Sequence, residues 1–109
     1  MSILSEKTRI KGMVLKNRLV RSATHEGMAD GDGSPTQALF KLYERLANGG
    51  VGLIVTGYAY ISRDGISPFK GMPGIDRDEH IPIYQDLVNL VHKYETQIAF
   101  HGGVAFCFE

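Results

Sequence analysis

An excess of either charge is missing from this sequence: twelve Lys and Arg balance twelve Asp and Glu. With no basic surplus to neutralise phosphates, a nucleic acid or an anionic membrane surface is not an expected partner. A disulfide within the chain is excluded, because Cys107 is its single cysteine. A reducing, cytoplasmic setting is the expectation that follows. No apolar run approaches the roughly 18 residues of a membrane-spanning helix. The opening stretch "MSILSEKTRIKG" carries charges where a secretory signal needs an apolar centre. The familiar phosphate motifs are missing too, since no G-x-G-x-x-G follows the first apolar stretch and no G-x-x-x-x-G-K-S/T occurs. Histidines 25, 80, 92 and 101 lack metal-ligand spacing, and there is no C-x-x-C, so no metal site is expected. Neither an internal repeat nor a low-complexity segment is visible.

What is present is alternation. The 109 residues have the size of one modest domain. "TRIKGMVLK" places Gly12 between two short apolar pieces and predicts a small hairpin over 8–16. A buried strand is predicted over 18–23, and the Gly- and Asp-rich stretch 24–34 as a loop. Ser34-Pro35 suits a helix start, with Ser as cap and Pro at the first helical position. Leu39, Leu42, Tyr43, Leu46 and Ala47 then recur at helical spacing, and Asn48-Gly49-Gly50 ends a helix predicted over 35–48. "VGLIVTGYAYI" is almost continuously apolar, as in a parallel strand covered on both faces by helices, predicted over 51–58. A long loop, 62–77, holds Gly65, Pro68, Gly71, Pro73 and Gly74. A second helix is predicted over 78–94, capped by Asp76 or Asp78, with Pro82 tolerable only in its first turn. Its stripe is Tyr84, Leu87, Val88, Val91 and Tyr94. "RDEH" at 77–80 reads as the helix start, with acids favoured by the helix dipole. His80 and His92 are expected to face solvent. "TQIAF" opens a third strand, predicted over 96–101. The tail 102–109 shows no pattern, and "VAFCFE" reads as an abrupt, frameshift-like ending.

Strand, helix, strand, helix, strand implies parallel strands joined by right-handed crossovers, an α/β fold that is either an open sheet or part of a barrel. In both, ligands bind at the C-terminal strand ends. Three stretches reach that edge: "SATHE", "TGYAYISRDG" and "HGG". Ser22 and Thr24 bring hydroxyls, and Ala23 leaves the backbone approachable. These hydroxyls could equally cap a strand while His25 faces water. Tyr58 and Tyr60 could stack on a planar ring or pack under the helices with their hydroxyls at the rim.

The segments "MVLKNRLVRSATHEG", "GVGLIVTGYAYISRDG" and "DEHIPIYQDLVNLVHKYETQIAF" resemble the N-terminal part of the old yellow enzyme family of NADH:flavin oxidoreductases and ene-reductases. The likeness runs from about Lys7 to Ala99. It implies the N-terminal portion of a (β/α)8 TIM barrel, with the hairpin closing the barrel bottom and FMN at the C-terminal mouth. NAD(P)H would be the reductant, and an activated alkene or quinone the small-molecule acceptor. Carried over by position, the flavin-binding segment falls on Ser22, Ala23, Thr24 and His25. Ala23 stands where many members have proline, and His25 where members place a flavin-tuning Thr or Cys. Tyr58 aligns with a small residue whose backbone touches the flavin. His101 either replaces the usual Gln or is the histidine of an "H-x-G-R"-like segment. The family's substrate-binding pair, proton-donating Tyr and phosphate-holding Arg and Gly groups would lie later in the chain, so no catalytic residue is assigned.

A barrel of this kind takes about 250 residues. A shorter piece would leave sheet edges and helix-packing surface open, which favours a homo-oligomer. Two readings follow: an FMN-dependent oxidoreductase represented by a piece inactive alone, or a non-catalytic, self-associating α/β unit that binds no flavin. A further alternative is an unrelated open-sheet domain with another ligand at the same edge.

Overall fold

The computed structural model describes residues 2–62 and 71–103. The tail 104–109 and most of the long loop, 63–70, lie outside the described residues. A single 3-10 turn, Ile3–Ser5, leads into a hairpin of β1 (Thr8–Ile10) and β2 (Met13–Leu15). Its left-handed turn residue is Lys11, at φ 52°, and not the neighbouring Gly12. Strand β3 (Val20–Arg21), helix α1 (Gln37–Asn48), strand β4 (Leu53–Tyr60), helix α2 (Ile81–His92) and strand β5 (Gln97–Gly103) follow. The three later strands form one parallel sheet in the order β3-β4-β5. Neighbours in the chain are neighbours in space, as along the wall of a (β/α) barrel.

The helices sit where apolar spacing puts them, but their starts differ from the sequence reading. Thr36, not Ser34, caps α1: its hydroxyl accepts from the Leu39 N–H and donates to the Met28 carbonyl at 2.5 Å. Pro35 therefore precedes the cap. Neither Asp76 nor Asp78 caps the second helix. A 3-10 turn, Asp78–His80, comes first, and Arg77 before it makes no side-chain cap. Pro82 lies in the first turn of α2, where its missing N–H costs nothing. The core is Leu39, Tyr43 and Ala47 of α1, Ile54 of β4, and Leu87 and Val91 of α2, so the helix layer covers one face of the sheet.

Two corrections concern burial. Strand β3 has only two residues, and Leu19 and Val20 are 46% and 50% exposed, not buried. As an edge strand, β3 has one hydrogen-bonded neighbour, β4. His80 is 2% exposed, not solvent-facing. The tight 3-10 turn, rather than an α-helical one, carries it inward beside Tyr84. His92 is exposed.

The stretch between hairpin and sheet staples the lower end of the structure. The Lys16 ammonium donates to the Tyr94 carbonyl at 2.6 Å, just past the end of α2. The Asn17 amide donates to the Gly50 carbonyl at 2.6 Å, just past α1. Both bind a carbonyl in the turn that follows a helix, and the Lys16 charge complements the negative end of the α2 dipole. Residues 16 and 17 thus fix both helices relative to β3. No helix among the described residues is long and apolar enough to cross a membrane.

Candidate cofactor site at the strand tips

At the upper end, β4 and β5 do not run in even register. Val55 lies opposite Ala99, but Tyr58 lies opposite His101. Thr56 and Gly57 therefore face a single residue, Phe100, and β4 carries a bulge. The bulge leaves amides without ladder partners, and two hydroxyls supply acceptors. Tyr43 of α1 accepts from the Gly57 N–H at 3.2 Å. Thr56, itself buried, accepts from the His101 N–H at 3.0 Å. Beyond the bulge Tyr58 and His101 meet edge to face, ring centroids 5.1 Å apart.

The chain leaving β3 runs alongside this tip. Ser22, Ala23, Thr24 and His25 are all exposed there. The Thr24 hydroxyl donates to the Ser22 carbonyl at 3.1 Å. The Thr24 carbonyl presses so closely on Gly57 that a Cβ at position 57 would overlap it, and would overlap the Glu26 carboxylate as well. The absence of a side chain at Gly57 is what lets the two segments touch. The structure thus brings the Ser22–His25 run, Tyr58 and His101 to one edge. Tyr60 does not join them. It is buried, wedged between Gly33 and Gly74, and its hydroxyl donates to the Asp32 carbonyl at 3.3 Å.

Sequence reasoning missed the residues beneath the tip. The Glu26 side chain is 2% exposed, and its Oε2 accepts from Arg21 Nη1 at 2.7 Å and from the Tyr43 hydroxyl at 2.8 Å. Arg21 Nη1 also reaches the Val55 carbonyl at 3.2 Å, and the guanidinium lies over the Tyr43 ring. Glu26 Oε1 has no hydrogen-bond partner among the described residues. Burial, reinforced by the Glu26 carboxylate, pushes the Tyr43 hydroxyl well above its ordinary value, so it stays a donor at neutral pH. One signal was available: a tyrosine within the apolar stripe of α1 needs a buried partner for its hydroxyl.

The loops above this network are locked together. Ala29 N–H donates to the Gly71 carbonyl at 3.0 Å, and Gly74 N–H to the Gly33 carbonyl at 2.8 Å. Residues 73–75 extend the sheet beside Tyr60 through Tyr60 N–H to Pro73 and Ile75 N–H to Tyr60. The mouth is thus held by backbone pairing from both crossover loops.

A sequence profile described as the NADH:flavin oxidoreductase / NADH oxidase family matches residues 6–104. The chain belongs to that family. Within this flavin oxidoreductase family its relatives include the "N,N-dimethylglycine/sarcosine dehydrogenase" of Chromohalobacter salexigens, 34% identical over 86% of this chain and 13% of the relative. A "Metal reductase" of Desulforamulus reducens is 36% identical over 90% of this chain and 14% of its own length. An "NADH oxidase" of Thermoanaerobacter brockii is 30% identical over 87% and 15%. The chain spans about one-seventh of these relatives. Among solved structures, the old yellow enzyme of Trypanosoma cruzi superposes at a TM-score of 0.82 with 25% identity, over 92% of this chain and 26% of that one. The old yellow enzyme of Pichia sp. superposes at 0.84 with 24% identity, over 92% and 26%. The fold is therefore part of an old yellow enzyme TIM barrel, and the resemblance read from the sequence holds.

The family uses FMN, and the strand-tip edge fits part of it. Exposed small side chains in the Ser22–Thr24 run leave backbone and hydroxyls open to a polar ring edge. Gly102, exposed beside His101, adds no side chain to block approach.

Proposed function

We propose that this chain supplies one side of an FMN site in an oxidoreductase of the old yellow enzyme type. Ser22, Ala23, Thr24 and His25 hold one rim of the flavin, with Tyr58 and His101 beside them. FMN, when bound, supplies the means of carrying reducing equivalents from NAD(P)H to an activated alkene, a quinone or a related small acceptor. This chain's residues bind and orient. The extended Ser22–His25 run offers amides and hydroxyls to a polar edge, and the Tyr58–His101 pair closes one flank against water. The carrying observation is the convergence of these segments on one edge, through the contact of Thr24 with Gly57 and the pairing of Tyr58 with His101.

Titration of FMN into the purified chain tests this. Quenching of flavin fluorescence and a perturbed visible spectrum at micromolar protein are expected. Free-flavin behaviour throughout overturns it for the isolated chain.

One observation favours the second reading, a self-associating unit without flavin. Leu19 and Val20 at one sheet edge, and Ile81 and Phe100 near the other, are large apolar side chains left open to solvent. On that reading the chain is a homo-oligomer whose copies cover these surfaces. Light scattering coupled to size exclusion, with and without FMN, separates the two: flavin-independent assembly with no flavin uptake supports the second. A cytoplasmic setting, with free thiol and reduced nicotinamide available, accords with either.

A further inference from the structure

Glu26 closes the "SATHE" stretch with a side chain 2% exposed, and four elements meet at it. Arg21 comes from β3, Glu26 from the following loop, Tyr43 from α1, and Gly57 from the bulge of β4. The order of donors has a direction. Oε2 of Glu26 accepts a hydrogen bond from the Tyr43 hydroxyl, so the oxygen lone pairs of Tyr43 turn toward the Gly57 N–H. Arg21 holds the carboxylate from the other side and anchors itself on the Val55 carbonyl, one residue before the bulge. The second carboxylate oxygen, without a hydrogen-bond partner among the described residues, lies against Gly57 itself.

An extra residue in a strand can be accommodated at several positions along a ladder unless something fixes it. Here the carboxylate, through one hydroxyl, holds the Gly57 amide, and Arg21 holds the carbonyl of Val55. The extra residue is thereby confined to Thr56–Gly57. The location of the bulge decides which way Tyr58 faces and whether it meets His101.

We propose that Glu26 is a positioning residue for the cofactor edge: acting through Tyr43 and Arg21, it locks the β4 bulge and so sets Tyr58 and His101 against the flavin rim. The proposal rests on the FMN reading above for its second half only. The lock itself is a property of the chain without ligand.

The test uses the 109-residue chain, with Tyr43→Phe as the main variant. It keeps the ring, its packing and the Arg21–Glu26 pair, and removes only the relay to Gly57. Glu26→Gln keeps an acceptor for the Tyr43 hydroxyl but not the charge facing Arg21, and serves as the conservative partner of Glu26→Ala. Amide hydrogen exchange is read at Gly57 and His101, against Ile54 as an internal reference. Tyr43→Phe is expected to speed exchange at Gly57 at least tenfold more than at Ile54. Glu26→Gln is expected to fall between wild type and Glu26→Ala. Uniform acceleration at all three amides, or none, overturns the lock. If Glu26→Ala does not fold, Tyr43→Phe and Glu26→Gln still decide.

The flavin arm compares FMN dissociation constants. A rise of at least tenfold in Tyr43→Phe, with the thermal midpoint lowered far less than in Glu26→Ala, supports the positioning role. Equal affinity in the two proteins overturns that role. If wild type binds no FMN, the flavin reading fails and the positioning role with it, while the exchange arm still judges the lock.

Discussion

Two ends of the same mouth are built differently. On the α1 side, beneath the β4 tip, the side chains of Arg21, Glu26 and Tyr43 bond one another and two backbone groups, although Glu26 Oε1 has no hydrogen-bond partner among the described residues. On the α2 side, His80 is as deeply buried, but neither ring nitrogen finds a hydrogen-bond partner among the described residues. It lines an open pocket of about 230 Å³ with Ile75, Arg77, Ile81, Tyr84 and Phe100. The first side lies between β3, α1 and β4, with sheet and helix both in place. The second lies between α2 and β5, and β5, like β3, pairs with β4 alone among the described residues. Polar groups become specific where several elements converge on them and remain costly where elements do not.

Perturbing each side sharpens this contrast. The largest effect is expected from Glu26→Ala. It leaves the Arg21 guanidinium, 15% exposed at its side chain, without its counter-ion, at a cost of about 3–5 kcal/mol by the general behaviour of broken buried pairs. Urea unfolding followed by circular dichroism measures it, and a loss under about 1 kcal/mol breaks the comparison.

Gly57→Ala should come next. Its methyl group meets the Thr24 carbonyl and the Glu26 carboxylate, and overpacking of this kind costs about 1–3 kcal/mol. A larger share of the damage should show at the tip than in α2, which exchange at individual amides resolves.

Alkaline pH should weaken both sides by the same route. Burial raises Tyr43 and Tyr84 above the ordinary tyrosine value, reinforced by Glu26 at Tyr43 and by neighbouring tyrosines at Tyr84. A raised folded-state value means full stability below the unfolded-state value, about 10. Stability then falls as pH climbs past it, because the unfolded chain releases its protons first. A denaturation midpoint that is flat to about pH 10 and declines above is expected. Tyr43→Phe should reduce the slope.

The smallest change runs in the opposite direction. His80→Phe replaces a buried imidazole that has no hydrogen-bond partner among the described residues by a ring that suits its apolar neighbours. A gain of about 1 kcal/mol is expected, since an unsatisfied buried polar group costs about 1–3 kcal/mol. A loss of similar size would show that the imidazole has a partner in solution.

Much of the architecture was legible because helix and strand periods are local. Leu39, Tyr43 and Ala47 mark the buried face of α1, and the largely apolar run of β4 marks an inner strand, although α1 and α2 cover one face of it and not both as the sequence suggested. The tips were legible as a topological consequence, since parallel strands end together. The bulge was not legible. The run "LIVTGYAY" has no strict alternation in which an inserted residue would register, and Gly57 within it allows a bulge or a close backbone approach without deciding between them. Glu26 was invisible for a related reason. It follows His25 in a polar stretch, and only the fold brings it against Tyr43, seventeen positions on. His80 was misread because a helix start with two acids looks solvated from sequence, whereas the 3-10 turn rotates its third residue inward.

The bulge has a consequence for reading variants of β4. Upstream of Thr56 the strand's odd and even positions keep one assignment of faces, and downstream the assignment is exchanged. A position-by-position substitution profile of β4 would therefore show its tolerant sites change parity partway along, near Gly57.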